Sequence, residues 1–195
     1  MPLPRLLSWA VLALLLAPAP PVRAAVERLG LEQAAGRLGG GGFVLMMRHA
    51  QTEPGIGDPP GFRIGDCATQ RLLSAAGREQ ARRAGEAMRA AGIRIGEVLS
   101  SEWCRCQDTA RLAFGAYRTA PALNSFFDDA SARDRRTSEL HGLVRQHRDG
   151  NLMLVTHQVN ISAAFDSFTS PAEIVAGRWR DGRLVAEFRF VPLSD

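Results

Sequence analysis

The chain has 195 residues, with 24 basic and 20 acidic side chains and a formal net charge of +4 at pH 7. Every basic residue is an arginine, which excludes a lysine Schiff base, a P-loop lysine and a lysine general base. With 46% apolar and 23% charged residues, the composition is that of a globular domain rather than a disordered or fibrous chain.

The first 24 residues have the three parts of a secretory signal peptide. Arg5 supplies the positive start, residues 6–17 form an apolar run, and Val22 and Ala24 place small residues where a signal peptidase cuts. The alternative is an uncleaved anchor, but the run is short beside the roughly 20 residues that span a bilayer. We therefore predict a signal peptide over 1–24.

Cleavage has consequences for charge and location. It removes Arg5 and Arg23 and no acidic residue, which lowers the net charge to +2. No run of arginines alternates with aromatic residues, so we expect no nucleic-acid partner. We expect a single domain over 25–195 that is periplasmic or secreted, without a stable membrane anchor.

The first half of the domain predicts a helix, a strand, a loop and a second helix. Residues 25–37 look amphipathic, and the continuous apolar run 43–47 is typical of a strand buried on both faces. Residues 53–70 are rich in Gly, Pro and Asp and indicate a loop. A helix is predicted over 74–92, with Ser74 as its N-cap.

The second half continues the alternation. Strands are predicted at 97–100, 120–123 and 151–156, and helices at 102–114, 133–147 and 160–168. Residues 173–191 indicate a β-hairpin with Asp181 and Gly182 as its turn. Alternating strands and helices predict an α/β layer fold with a mostly parallel central sheet.

Four side chains follow the predicted strands of this sheet. Arg48 and His49 end the first strand, Arg105 lies in the helix after the second, and His157 follows the strand at 151–156. Ligands of open α/β sheets bind beyond the carboxyl ends of the strands, so these residues are expected to converge there. Two histidines and two arginines suit phosphoryl transfer, in which an imidazole attacks phosphorus and guanidinium groups neutralise the oxygens.

Four segments, in this order, resemble the signatures of the histidine phosphatase superfamily, also called the phosphoglycerate-mutase-like family. Residues 48–52 resemble its Arg-His-Gly-x-Thr, and 73–81 resemble Leu-Thr-x-x-Gly-x-x-Gln-Ala. Residues 100–110 resemble Ser-Ser-x-x-x-Arg-x-x-x-Thr-Ala, and 155–157 resemble Val-x-His. The resemblance covers roughly residues 43 to 165 and implies a three-layer sandwich around the sheet.

The resemblance also implies roles. His49 would be the nucleophile that becomes phosphohistidine, and His157 would stabilise the transferring group. Arg48 and Arg105 would bind the phosphoryl oxygens, and Thr52 would add a hydroxyl donor. No cofactor and no metal is implied.

The sequence departs from the family pattern at three positions, and two of them are positions where the family carries the leaving-group proton donor. Ala50 replaces the usual glycine, Gln158 follows the second histidine in place of an acid, and Asn124 lies where a Leu-x-Glu motif would carry glutamate. We predict Asp128 as the proton donor. The alternatives are the neighbouring Asp129 and three acids on the loop after the first motif: Glu53, Asp58 and Asp66.

Three cysteines remain to be placed. In an oxidising compartment we expect a disulfide from Cys67 to Cys104, with Cys106 as the alternative partner. Zinc is disfavoured because only one residue separates Cys104 from Cys106 and no histidine is near.

These patterns predict a metal-independent phosphomonoester hydrolase that acts through phosphohistidine. Its substrate would be small and phosphorylated and would lie in the envelope or periplasm, for example a sugar phosphate. The alternative is a non-catalytic phosphate- or anion-binding module on the same fold.

Overall fold

A seven-stranded sheet organises the protein in the computed structural model, which describes residues 25–193. The predicted signal peptide, 1–24, lies outside the described residues. In chain order the strands are β1 Glu27–Arg28, β2 Val44–Arg48, β3 Glu97–Ser100, β4 Arg118–Thr119, β5 Leu152–Thr156, β6 Ile174–Arg180 and β7 Arg183–Phe190.

The strand order is β1-β7-β6-β2-β5-β3-β4. Strands β2, β5, β3 and β4 run parallel, while β6 is antiparallel to both β2 and β7. Leu45, Met46 and Met47 on β2 are completely buried, as expected for a central strand covered on both faces. The predicted mostly parallel sheet is confirmed.

Among residues 25–193, five helices form the two outer layers of the sandwich. One apolar cluster packs the helix side chains Ala34, Leu38, Ala81 and Met88 against one face of the sheet, and another packs Leu140, Val144, Ile161 and Phe165 against the other. The helices are α1 Leu31–Leu38, α2 Ala75–Ala90, α3 Cys104–Phe114, α4 Arg133–Gln146 and α5 Gln158–Phe165. The three-layer α/β architecture is therefore as predicted.

The start of α2 is fixed close to the end of β2. Ser74 caps the helix by accepting a hydrogen bond from the backbone N–H of Gly77, as predicted. A Cβ on Gly77 would lie 1.8 Å from the carbonyl oxygen of Gln51, so only glycine allows this approach. The first turn of α2 thereby supports the segment that follows His49.

Three predicted elements differ from the structure, and one of them is the helix predicted over 160–168, which spans Gln158–Phe165. The predicted strand at 120–123 is wrong: the strand there is the two-residue β4, and Pro121–Leu123 form a 3₁₀ turn. Pro121 has no N–H to donate to a sheet, which explains the early end. The first helix begins at Leu31 rather than at 25, because β1 pairs with β7.

The predicted hairpin is formed by β6 and β7. Its turn residues, Asp181 and Gly182, have φ values of 49° and 79°, the left-handed conformation that a tight hairpin turn requires. Among residues 25–193, no helix has both the length and the apolar character needed to cross a membrane.

Candidate active site

The parallel pairing of β2 and β5 brings the two histidines together. The register aligns Arg48 with Thr156, so His49 and His157 leave adjacent strand ends, and their ring centroids are 5.5 Å apart. Both line a cavity of about 450 Å³, together with Arg48 and Arg105. The structure thus brings together the four residues that the sequence places at strand ends.

His49 is held in one tautomer. Its side chain is buried, and Nδ1 lies 2.8 Å from the carbonyl oxygen of Ala50. A carbonyl only accepts hydrogen bonds, so Nδ1 carries the proton and Nε2 keeps its lone pair. Burial first, and then the charge of Arg105, lower the pKa of His49 to about 3, which keeps the ring neutral. The result is an imidazole with a free nucleophilic nitrogen at neutral pH.

His157 is buried beside Arg105. Nη2 of Arg105 lies 3.5 Å from Nδ1, and Oγ of Ser101 lies 2.9 Å from Nε2. A guanidinium only donates, so Nδ1 accepts and Nε2–H donates to Ser101. Burial, followed by the charge of Arg105, holds the pKa of His157 well below its usual value.

A chain of hydrogen bonds fixes the orientation of His157. The hydroxyl of Ser101 donates to Oδ1 of Asn124 at 3.1 Å, and Nδ2 of Asn124 donates to the Glu102 carboxylate at 2.7 Å. The backbone N–H of Glu102 also donates to Oδ1 of Asn124 at 2.9 Å, which fixes the amide orientation. Asn124, where the family motif would carry glutamate, therefore supports the second histidine from behind.

Three arginines line the cavity: Arg48, Arg71 and Arg105. Arg48 donates to the carbonyl oxygen of Thr169 at 2.7 Å, and Arg71 donates to that of Gly55. The Nε atom of each of the three arginines is buried and makes no hydrogen bond within residues 25–193. Burial and the neighbouring guanidinium groups lower the pKa of Arg48 and of Arg71, as crowded cations require.

Asp58 is the carboxylate that lies among these cations. Nη1 of Arg105 donates to both of its oxygens, at 2.8 and 3.0 Å, and Trp103 Nε1 donates at 3.0 Å. Burial alone would raise the pKa of Asp58, but these hydrogen bonds and the charge of Arg105 lower it. A carboxyl group that stays ionised has no proton to give, so Asp58 is a poor candidate for the general acid.

Two of the remaining predicted proton donors, Asp128 and Asp129, are exposed, and Asp66 is half-buried. Asp128 lines the cavity, and within the described chain its carboxylate makes no hydrogen bond. Asp129 instead accepts from the backbone and hydroxyl of Ser131, and these bonds lower its pKa. Asp66 pairs with Arg63.

Thr52 and Glu53, like Asp66 and Asp129, lie outside the cavity lining. Thr52 pairs with Leu73 in an isolated β-bridge, and Glu53 is exposed next to it. The phosphate contact predicted for Thr52 therefore stays a prediction. Of the candidates for the proton donor, only Asp58 and Asp128 line the cavity, and of these two Asp128 makes no hydrogen bond within the described residues.

A disulfide joins the loop between β2 and α2 to the start of α3. Cys67 and Cys104 are bonded, with 5.7 Å between their Cα atoms, so the predicted pairing is the one formed. Cys106 is a buried free thiol whose Sγ lies 3.4 Å from Nε2 of His157. Burial raises the pKa of Cys106 to about 12, which keeps the thiol protonated and unreactive.

Sequence reasoning missed Arg71 and the bonds behind His157. Arg71 lies two residues before Leu73, where the second motif starts, and no local pattern marks it. The hydrogen bonds of Ser101 to His157 and to Asn124 join residues 56 and 23 positions apart, so the sequence does not reveal them. Among residues 25–193, no group of three or more His, Cys, Asp or Glu side chains is placed to hold a metal ion.

A second cavity, of about 480 Å³, lies against α2, β3 and β4. Its lining includes no histidine, and its charged pair, Arg118 and Glu97, is joined by a salt bridge. The groups suited to chemistry therefore lie in the cavity that holds His49.

Comparison with known proteins is consistent with this geometry. Residues 44–129 match the family model described as Histidine phosphatase superfamily (branch 1). A search of curated proteins found no match.

Solved structures share the fold at low sequence identity. The protein histidine phosphatase SixA complexed with tungstate has a TM-score of 0.55 at 13% identity, over 77% of this chain and 97% of that chain. A mutant phosphoserine phosphatase from Entamoeba histolytica, in complex with phosphoserine, has a TM-score of 0.57 at 13% identity, over 75% and 95%. Phosphoglycerate mutase from Thermus thermophilus has a TM-score of 0.52 at 18% identity, over 74% and 98%. At these identities the likeness shows the fold alone.

Proposed function

The chain belongs to the histidine phosphatase superfamily, and on that premise we propose that it hydrolyses phosphate monoesters through a phosphohistidine on His49. The observation that carries the proposal is the tautomer of His49. Its Nδ1–H is engaged by the Ala50 carbonyl, which leaves the Nε2 lone pair available in the cavity that holds three arginines. A neutral imidazole with this orientation is ready to attack phosphorus.

The reaction has two steps. Nε2 of His49 forms a bond to phosphorus as the bond to the ester oxygen breaks, and the carboxyl group of Asp128 gives its proton to the departing alkoxide. A water molecule then attacks the phosphohistidine, and the Asp128 carboxylate takes up the proton that this water loses. Inorganic phosphate leaves, and His49 returns to its neutral form.

The cations supply the electrostatic part of catalysis. Arg48, Arg71 and Arg105 carry three positive charges against one buried carboxylate, Asp58. Because the phosphoryl oxygens stay negative through a loose transition state, fixed guanidinium donors stabilise it without reorganisation. His157, whose Nε2–H donates to Ser101, accepts from Nη2 of Arg105 and so helps to hold this guanidinium group in place.

We further propose that the protein acts outside the cytoplasm on a small phosphorylated substrate. The support is the signal-like sequence of residues 1–24 and the disulfide at Cys67, which persists in oxidising compartments. In this proposal the reaction needs no metal, because arginines neutralise the phosphoryl group.

Hydrolysis of 4-nitrophenyl phosphate tests the proposal, since this ester has a good leaving group and needs little acid assistance. We expect turnover that survives EDTA and is lost in His49→Ala. Phosphate binding without turnover at any pH would support the non-catalytic anion-binding module instead. Loss of activity with EDTA would contradict the metal-free mechanism.

The role of Asp128 is tested by changing the leaving group. We expect Asp128→Asn to lower kcat for an alkyl phosphate by roughly 10²-fold, as for a general acid, with only a small effect on 4-nitrophenyl phosphate. Asp129→Asn, which changes the adjacent exposed carboxylate, serves as the control. An equal loss on both esters would remove Asp128 from the proton-donor role.

A further inference from the structure

The mouth of the active-site cavity is unusually apolar. Within residues 25–193, four large apolar side chains are exposed: Ile56 at 90%, Phe168 at 74%, Phe127 at 58% and Ile64 at 46%. The three most exposed line the cavity that holds His49, and Ile64 does not. We call Ile56, Phe127 and Phe168 the apolar rim.

The apolar rim is assembled from three separate parts of the chain. Ile56 lies on the loop after β2, Phe127 lies before α4, and Phe168 lies between α5 and β6. Single exposed apolar residues are normal on a protein surface, but clusters beside a pocket mark binding sites. Three such residues from distant segments at one cavity mouth indicate a surface that contacts a ligand.

Two polar side chains of the lining, Gln158 and Ser125, are engaged in hydrogen bonds. Gln158 donates to Ser162 and to the carbonyl oxygen of Ser167, and its Oε1 accepts two hydrogen bonds from Thr169. The hydroxyl of Ser125 accepts from the backbone of Phe127. The amide of Gln158 is therefore not available to bind the hydroxyl groups of a sugar.

Charge is unevenly distributed over the lining. Arg105 is buried beside the two histidines, whereas Asp128 is exposed. The cavity thus combines a cationic base for one phosphoryl group with an apolar mouth for what is attached to it.

We infer that the substrate is the phosphate monoester of an apolar alcohol, with an aliphatic or aromatic group that packs against Ile56, Phe127 and Phe168. The inference rests on the proposed phosphatase function and replaces a sugar by an apolar leaving group. Each methylene group that becomes buried is worth roughly fourfold in affinity, so contact with even part of the rim gives a measurable preference.

The test compares kcat/KM for esters that differ in polarity. Hexyl phosphate and glucose 6-phosphate are both esters of primary alcohols, and phenyl phosphate and phosphotyrosine both release a phenol. We expect the apolar member of at least one pair to be preferred by roughly tenfold or more. Preference in the hexyl pair alone identifies an aliphatic group, and preference in the phenyl pair alone an aromatic one.

Matched variants locate the preference. Phe168→Ser and Phe127→Ser are expected to lower kcat/KM for the preferred apolar ester roughly tenfold, with less than a twofold change for its polar counterpart. The control is Ile64→Ser, which removes an exposed apolar side chain from the loop that carries Ile56 but outside the cavity lining. It is expected to change kcat/KM for neither ester. Equal use of polar and apolar esters, or equal losses on both in the rim variants, would overturn the inference.

Binding separates this inference from the proposed function. His49→Ala permits calorimetric titration of each ester without turnover. If no ester is hydrolysed by the wild-type protein, the phosphatase proposal fails, yet tighter binding of the apolar esters would still support the apolar rim. Equal affinity for both members of each pair would overturn the rim, whatever the turnover.

Discussion

Asp58 and Glu173 are both carboxylates with buried side chains that are held by arginine, but their surroundings differ. The two oxygens of Glu173 accept hydrogen bonds from Nε and Nη2 of Arg189, at 2.7 and 2.8 Å, and Arg28 and Ser170 complete the set. This cluster ties β1 and β7 to the start of β6.

Asp58 shares its surroundings with three arginines instead. Its oxygens are also fully engaged, but the Nε atoms of Arg48, Arg71 and Arg105 lack partners within the described residues. Neither Arg28 nor Arg189 has such a buried unpaired atom. A carboxylate matched to its arginines stabilises the fold, whereas a surplus of buried guanidinium groups around one carboxylate marks a site for an anion.

The largest expected difference between the two clusters is in catalysis. Arg105→Ala removes donors to the transferring group and is expected to lower kcat by roughly 10²–10³-fold. Arg189→Ala is the counterpart in the Glu173 cluster and is expected to leave kcat within about twofold. It should lower the free energy of unfolding by about 2–3 kcal/mol, because Glu173 stays buried with fewer partners.

Steady-state kinetics and urea denaturation of both variants measure this contrast. The converse pattern, with Arg189→Ala catalytically impaired and Arg105→Ala fully active, would overturn the distinction between the clusters.

The second prediction concerns the loop that carries Asp58. The Cys67–Cys104 disulfide closes a loop with a sequence separation of 37 residues, and its loss is expected to cost about 3–4 kcal/mol of stability. Cys67→Ser/Cys104→Ser should show this loss in urea denaturation. Cys106→Ser, which changes the free thiol, is the control for altering a cysteine. Equal stability of the disulfide-free and wild-type proteins would show that the Cys67–Cys104 disulfide does not stabilise the fold by constraining the unfolded chain.

Sequence patterns were sufficient for the elements whose signals are local. Ser74 as an N-cap, the Asp181-Gly182 turn and the apolar strands each follow from a few adjacent residues. The strand predicted at 120–123 was wrong because Pro121 prevents pairing at a sheet edge, a context that apolar character does not reveal.

The site was predictable only in part, for a related reason. His49 and His157 follow strands, so topology alone places them near each other. Arg105 donates to Asp58, and Ser101 is hydrogen-bonded to both Asn124 and His157. These bonds join residues 23 to 56 positions apart, and no sequence pattern links the partners. Such contacts emerge only when the helices and loops pack.

The third prediction follows from the pKa of His49, which is about 3 in the folded chain against 6.5 for the free side chain. Below pH 6.5 the His49 ring is protonated in the unfolded chain but stays neutral in the folded chain. The free energy of unfolding therefore falls as the pH drops from 6.5 towards 3. By pH 5 this raises the unfolding constant roughly thirtyfold relative to a residue that does not titrate.

Urea denaturation of wild type and His49→Asn at pH 7 and pH 5 isolates this effect. The variant has no titrating ring at this position, so its stability should fall less over the interval. Identical pH dependence of the two proteins would show that the buried ring does not resist protonation.

The smallest expected effect is at Asp58 itself. Asp58→Asn keeps the shape of the side chain and removes the charge that competes with phosphate for Arg105, so inorganic phosphate should bind roughly three- to tenfold more tightly. Asp108→Asn changes a carboxylate paired with Arg78 and Arg111 outside the cavity and should have no effect. Calorimetric titration with phosphate measures both, and weaker binding in Asp58→Asn would mean that Asp58 helps the site rather than competing with the anion.

We propose that the cavity arginines, which outnumber its buried carboxylate, hold a phosphoryl group next to Nε2 of His49. Acid- and base-quenched reactions with a ³²P-labelled monoester test it directly, because phosphohistidine is labile in acid and survives in base. We expect a base-stable, acid-labile label on the wild-type protein, mapped to the peptide that contains His49 and absent from His49→Ala. Turnover with an equally labelled His49→Ala protein, or a label on another residue, would contradict it.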